Sequence, residues 1–392
     1  MTSTVSPPRP GFITRLALLY AAIFTLGGVQ LPFFPVWLAA KGLDERAIGL
    51  VLALPMLVRV AAVPLATRIA DRGDKVTAVL AASAVATVAG YGLLGLADGA
   101  LAIGAAFALA SFLYTPVMPL TETYALRGLA ARGRAYGPVR LWGSLAFIAG
   151  TFAAGAAIDL IPHQRLIWLL VGASVLIACA ALSLAPVNVA GVASAHAQAA
   201  RPRRGLLRDP VFLFALAAAA LAQASHAVYY GFSAIAWTQG GLDGTAVSAL
   251  WGLGVIAEIV LFACQGRLPR ALTPLPLLAL GAAGGALRWV AMAFDPPFAA
   301  LPFLQLLHAL SFAAVHLGAL GFIAHHAPPG QAATAQGHAA IALGVAMAGA
   351  TGLAGVLFAS FGSAAYAAMA LAAIVGCACA GVAYRLAADA AA

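Results

Sequence analysis

Glu258, Arg288 and His308 are the residues of this 392-residue chain whose types and positions point most directly to chemistry. Each lies inside an apolar stretch, and a charge near the centre of a bilayer helix costs several kcal/mol, about 2.5 to above 10 by different estimates. Desolvation opposes ionisation of a carboxyl group, and a nearby cation favours it. A Glu whose surroundings alternate between apolar and cationic can take up a proton on one side and release it on the other. Histidine titrates near neutrality, which suits the same relay. The competing reading is a permanent ion pair between Glu258 and Arg288. Buried pairs contribute little net stability, which favours the proton role.

Arg59 offers different chemistry. A guanidinium is a planar, bidentate donor that matches a carboxylate. Rings could hold the apolar end of such a ligand. Gln30, Phe33, Phe34 and Trp37 fall on one helical face, and Gln223, His226, Tyr230, Ser233 and Trp237 make a second stripe. Trp251 is placed in the same candidate set. Aromatic stripes are more often packing or an interfacial belt, which is the favoured reading for Trp37 and Trp237. Gln305, His308, Phe312 and His316 line one face of another stretch. For His316, hydrogen-bonded packing is an equal alternative. His325, His326 and His338 are expected to be solvated. No zinc spacing, phosphate loop or nucleophile–base pair is visible, so neither a metal nor an enzyme is expected. Cys179, Cys264, Cys377 and Cys379 fall within apolar stretches without redox spacing and read as small core residues.

The elements that must position these residues are membrane helices. The apolar fraction is 63%, against about 45–50% in soluble domains. Twelve apolar runs reach the roughly 20 residues that a bilayer core demands. They lie near 12–40, 47–68, 76–97, 100–126, 139–160, 164–186, 210–239, 245–266, 273–294, 298–323, 335–361 and 363–386. The first is too long for a signal-peptide core and is read as retained. The net charge of +9 does not mark nucleic-acid binding, because no contiguous basic face with stacking rings occurs. With the N-terminus inside, Lys and Arg concentrate in the cytoplasmic loops, and only Lys41, Arg46 and Arg165 fall outside. That asymmetry places both termini in the cytoplasm.

The chain also repeats. A shift of 199 positions aligns Gly42-Leu43-Asp44 with Gly241-Leu242-Asp243, Phe33 with Phe232, Arg59 with Glu258 and Arg68 with Arg267. A tail (1–11), a six-helix bundle (12–186), a basic linker (187–209) and a second bundle (210–388) are therefore expected. Parallel repeats of this kind place a ligand site between the halves near the midplane. Arg59 and Glu258 would face it from opposite sides. Helices 11 and 12, rich in Gly and Ala, read as scaffold.

The loop TRIADRGDK (67–75) resembles the major facilitator loop signature, matched by Asp71, Arg72 and Lys75. Thr67 replaces its first Gly, and Gly73 sits one place early. Three longer stretches narrow the resemblance: LPFFPVWLAAKGLDERAIGLVLALPMLVR (31–59), YGPVRLWGSLAFIAG (136–150) and SHAVYYGFSAIAWTQGGLDGTAVSALWGLGVIAEIVLF (225–262). With LQLLHALSF (304–312), they are similar to the phenylpropionate/cinnamate permease branch, related to lactose permease and nucleoside:proton symporters. The resemblance implies an all-α major facilitator fold of twelve helices in two pseudo-symmetric bundles. It also implies proton symport of an aromatic monocarboxylate by alternating access.

Lactose permease carries a Glu, an Arg and a His on helices 8, 9 and 10, matched in order by Glu258, Arg288 and His308. Its substrate-contacting Glu on helix 4 and Arg on helix 5 are matched by Glu122 and Arg140. Arg140 has a positive-inside anchor as its alternative. No stacking Trp matches on helix 5, where Trp142 sits near the inner end, and this weakens a sugar reading. Uptake of a neutral nucleoside or oligosaccharide stays open as the rival. The Gly-Pro-rich fifth helix of drug:proton antiporters is missing here, where Gly143, Gly150 and Gly155 occur without an internal Pro, and paired intramembrane charges argue against a non-transporting receptor. The expected partners are a small substrate, a proton and the lipid bilayer. The expected cofactor is none beyond the proton gradient, the state a monomer and the location a bacterial-type inner membrane.

Overall fold

A computed structural model of the chain describes residues 11–72, 75–186, 205–328 and 331–390. Most of the tail, Gly73 of the loop signature and linker positions 187–204 fall outside the described residues. Among those described, eleven stretches are long and apolar enough to cross a membrane. The first ten are α1 (Phe12–Ala40), α2 (Glu45–Asp71), α3 (Val76–Leu96), α4 (Ala100–Ala130), α5 (Gly137–Ile158), α6 (His163–Leu182), α7 (Pro210–Gln239), α8 (Gly244–Arg267), α9 (Pro274–Ala293) and α10 (Phe298–His326). The eleventh, Thr334–Asp389, runs to 56 residues. It takes in two α-helices, α11 (Ala332–Phe361) and α12 (Tyr366–Asp389), joined by a 3-10 turn at Gly362–Ala365. The expected count of twelve is reached only by dividing this last stretch.

Helix is the form that satisfies every backbone group without water. Large apolar side chains stand outward, among them Leu57, Val60, Leu101 and Phe303. Surfaces of that kind need apolar surroundings. α7 is the most enclosed, with 72% of its apolar window buried.

Several helices are broken where function is sought. α4 is interrupted at Thr115–Pro116, between Ala100–Tyr114 and Val117–Ala130, where proline supplies no N–H. α7 breaks at Ser225–His226, where the Ser225 hydroxyl donates to Ala222 O at 2.7 Å and His226 Nδ1 lies 3.1 Å from Gln223 O. Such local bonds re-satisfy the freed carbonyls. α10 carries a π-helical turn over Ala309–Ala314, directly after His308. Turns of this type hold an extra residue and recur at functional positions.

The sequence repeat is also a structural one. Gly42 and Gly241 both take positive φ, 81° and 99°. Asp44 and Asp243 then cap α2 and α8, accepting from Ala47 N at 2.8 Å and Ala246 N at 2.7 Å. α1 packs on α5 and α6, α3 on α4 and α6, and α9 and α7 on α12. Helices from opposite halves meet at α5–α8 and α2–α11. At the first seam, a Cβ on Gly155 would overlap the Ser248 hydroxyl and the Gly244 carbonyl. At the second, a Cβ on Gly355 would overlap the Glu45 carbonyl and approach Gly49. These residues correspond under a shift of 199 or 200, so the halves touch through the same glycine device twice. The α5–α8 seam adds polar fastening: Ser248 Oγ donates to Thr151 O at 2.8 Å, and Gly244 N donates to Asp159 Oδ1 at 2.9 Å.

Candidate functional site

The polar residues of the second half converge where α7 and α10 lose regular helical form. Arg288 on α9 is fully buried at 0% exposure. Its Nη1 donates to His308 Nδ1 at 3.1 Å and to Ser311 Oγ at 3.3 Å, and its Nη2 donates to Gln305 Oε1 at 2.5 Å. The guanidinium carbon lies 4.5 Å from the Tyr229 ring centroid and 4.6 Å from that of Trp289, both cation–π distances. Among the described residues, no acid contacts Arg288. The direct Glu258–Arg288 pair considered above is therefore absent. Glu258 Oε2 instead lies 3.8 Å from His308 Nε2, which places the imidazole between the two charges.

His226, at the break of α7, is fully buried, with Nε2 3.2 Å from Ser311 Oγ. Its ring stacks on Tyr230 at 5.4 Å. Trp251 on α8 is buried and stacks on Tyr229 at 4.6 Å. Gln223 Nε2 reaches Phe312 O at 3.5 Å. Three buried donors in this cluster have no partner, Arg288 Nε, Trp251 Nε1 and Gln305 Nε2. His316 stacks on Phe312 at 6.2 Å and stands exposed.

The first-half candidates divide. Glu122 accepts from Tyr136 Oη at 2.8 Å. Arg140 lies over Phe24 at 3.9 Å, so no Glu122–Arg140 pair forms among the described residues. Gln30 accepts from Tyr91 Oη at 2.6 Å. Phe33 is buried in the core at 1% exposure and serves packing. Arg59 is exposed on α2 and joins no hydrogen bond, ion pair or ring contact among the described residues. Asp71, Arg72 and Lys75 are exposed at the α2–α3 turn, Asp71 closing α2. None of the three makes a side-chain contact that would latch the loop among the described residues.

Two expectations need correction. His326 is not solvated: its Nε2 pairs with Asp209 Oδ2 at 2.5 Å, and His338 packs edge-on against Phe212. Cys179 is exposed on α6 rather than a core residue. The sequence reading missed Tyr229, Trp289, Ser311 and Tyr136. Ser311 alone carried a usable signal, one helical turn from His308.

Eleven apolar spans among the described residues, a parallel internal repeat and enclosed charges define a multi-pass membrane transporter of the major facilitator type. The family model for the MFS_1 like family matches residues 13–368, and the chain belongs to that family. It is 29% identical over 360 residues to the "Probable 3-phenylpropionic acid transporter" of Escherichia coli (strain K12), covering 92% of this chain and 94% of that one. It is 31% identical over 292 residues to the "Maltose permease" of Geobacillus stearothermophilus, covering 72% of each. Among solved structures, the nucleoside transporter NupG superposes with a TM-score of 0.80 at 15% identity, covering 95% of this chain and 99% of that one. The chain is a transporter and not an enzyme.

Proposed function

We propose that the protein is a proton-coupled symporter importing a small aromatic monocarboxylate by alternating access. The observation that carries this reading is the Glu258–His308–Arg288 chain. It joins a carboxyl group and an imidazole at 3.8 Å to a cation held inside the protein. A proton arriving at Glu258 changes the charge facing His308, and so the balance around Arg288. The likeness to a 3-phenylpropionic acid transporter over nearly the whole chain supports the substrate class. We place twelve spans in two six-helix bundles (12–186 and 210–388), with both termini in the cytoplasm of a bacterial-type inner membrane. The glycine seams then close the outer end. We take the driving force to be the proton gradient, with no further cofactor, and the working unit to be a monomer.

Uptake of 3-phenylpropionate into proteoliposomes, with and without an inward proton gradient, tests the proposal. Accumulation that a protonophore collapses supports it, and accumulation indifferent to the gradient would end it. The maltose permease relative favours a second reading, symport of a neutral sugar. Against it, the α5 indole, Trp142, is exposed at 56% and stacks with no ring among the described residues.

A further inference from the structure

We infer that Arg288, Gln305 and Trp251 form the carboxylate subsite of the transport path, an assignment that rests on the aromatic-acid reading above. The cluster has donors and positive charge in excess. Arg288 is a buried cation whose partners are His308, Ser311 and Gln305, with no carboxylate in contact among the described residues. Isolated buried charges are costly unless paired, so this position wants an anion. Two further N–H groups need an acceptor. Trp251 is 3% exposed and Gln305 is 0% exposed, and both Trp251 Nε1 and Gln305 Nε2 lack partners. They belong to one group, since Gln305 holds Arg288 and Trp251 stacks on the Tyr229 ring that Arg288 covers. One planar anion with two acceptor oxygens answers both deficits, and a carboxylate is that anion. A sugar or nucleoside would leave the charge uncompensated.

The surroundings suit an aryl group on the same ligand. Tyr230 and Phe312 are partly exposed beside the buried cluster, with His226 stacked behind Tyr230. His308 stacks on Phe312 at 5.1 Å and accepts from Arg288 at 3.1 Å, so it links that ring to the cation. The π turn at Ala309–Ala314 follows His308 directly. A turn of that kind gives α10 local slack, so the imidazole can yield to an incoming carboxylate. Arg59, the cation first matched to a carboxylate, has no such setting. It is exposed and without ring contacts among the described residues.

The test measures binding of 3-phenylpropionate and of its amide to the purified full-length protein, by calorimetry. Wild type is expected to prefer the acid. Gln305→Glu keeps the acceptor for Arg288 but supplies an internal carboxylate. It should lose acid binding by about a hundredfold and raise the unfolding temperature, because a buried cation gains its counter-ion. Trp251→Phe keeps the stacked ring and removes the N–H, and should cut the acid-over-amide preference about tenfold. Acid binding unchanged in Gln305→Glu overturns the subsite while leaving the aromatic-acid reading standing. Should that variant not fold, an unaltered acid-over-amide ratio in Trp251→Phe overturns it instead. Equal wild-type affinity for acid and amide, or binding of neither, overturns subsite and reading together.

Discussion

Arg288 donates to His308 Nδ1 at 3.1 Å, and this one bond settles how the imidazole is used. A guanidinium has no acceptor, so Nδ1 must be unprotonated and Nε2 must carry the ring hydrogen. That hydrogen faces Glu258 Oε2, 3.8 Å away. The carboxylate and the guanidinium thus communicate through His308 rather than by contact. Protonation of the ring at Nδ1 would break its bond to Arg288.

The first expectation concerns the proton. Glu258→Gln should abolish accumulation driven by a pH gradient while leaving exchange of labelled substrate intact. Counterflow and gradient-driven uptake, measured on the same proteoliposomes, separate the two. Full gradient-driven accumulation by the mutant would remove Glu258 from coupling.

A second concerns the bridge. A double-mutant cycle between Arg288→Ala and His308→Ala should give an interaction energy of about 0.5–3 kcal/mol, as for residues in contact. The cycle between Glu258→Ala and Arg288→Ala should give less, and nothing once His308 is also removed. Denaturation in detergent measures each corner. An equally large Glu258–Arg288 term without His308 would contradict the relay.

The third concerns the seam. Gly155→Val places atoms where Ser248 and the Gly244 backbone already stand. Backbone cannot yield as a flexible side chain can, so stability should fall by about 1–3 kcal/mol. The outer end should also open. Thiol labelling of Val247→Cys, a position buried at 0% on α8, should speed up in the Gly155→Val background. Unchanged labelling would show that the contact does not hold that end closed.

The repeated caps supply a fourth. Asp44→Ala and Asp243→Ala should each cost about 0.5–2 kcal/mol, the usual loss for an N-cap. The two losses should be similar, because the caps share one geometry. A large inequality in thermal unfolding would mean that the repeat is only formal.

Much of this was legible in the sequence for physical reasons. Long apolar runs must be helices in lipid, and the match of Gly42-Leu43-Asp44 with Gly241-Leu242-Asp243 exposes the repeat. Enclosed charges such as Arg288 and Glu258 stood out because lipid makes them expensive. Pairing was not legible. Tyr136 takes Glu122, and Phe24 takes Arg140, because the side chain that arrives first across a helix interface is set by rotation about axes. Periodicity within one helix leaves that rotation undefined. Arg59 shows the same limit: its depth could be read, but not its direction. The break in α7 and the π turn in α10 were hidden as well, since neither needs a proline.

The two glycine seams differ in one respect that bears on how the molecule moves. On the α5–α8 edge, separation must give up the Ser248–Thr151 bond and the grip of Asp159 on the α8 amide. On the α2–α11 edge, Gly49 and Gly355 meet backbone to backbone, and no polar side chain loses a partner among the described residues. Each hydrogen bond surrendered costs about 0.5–1.5 kcal/mol. A door fastened this way hangs on α5–α8 and swings at α2–α11. With the topology and import direction proposed above, the gap that admits a substrate would begin on the side of the molecule where Gly49 meets Gly355.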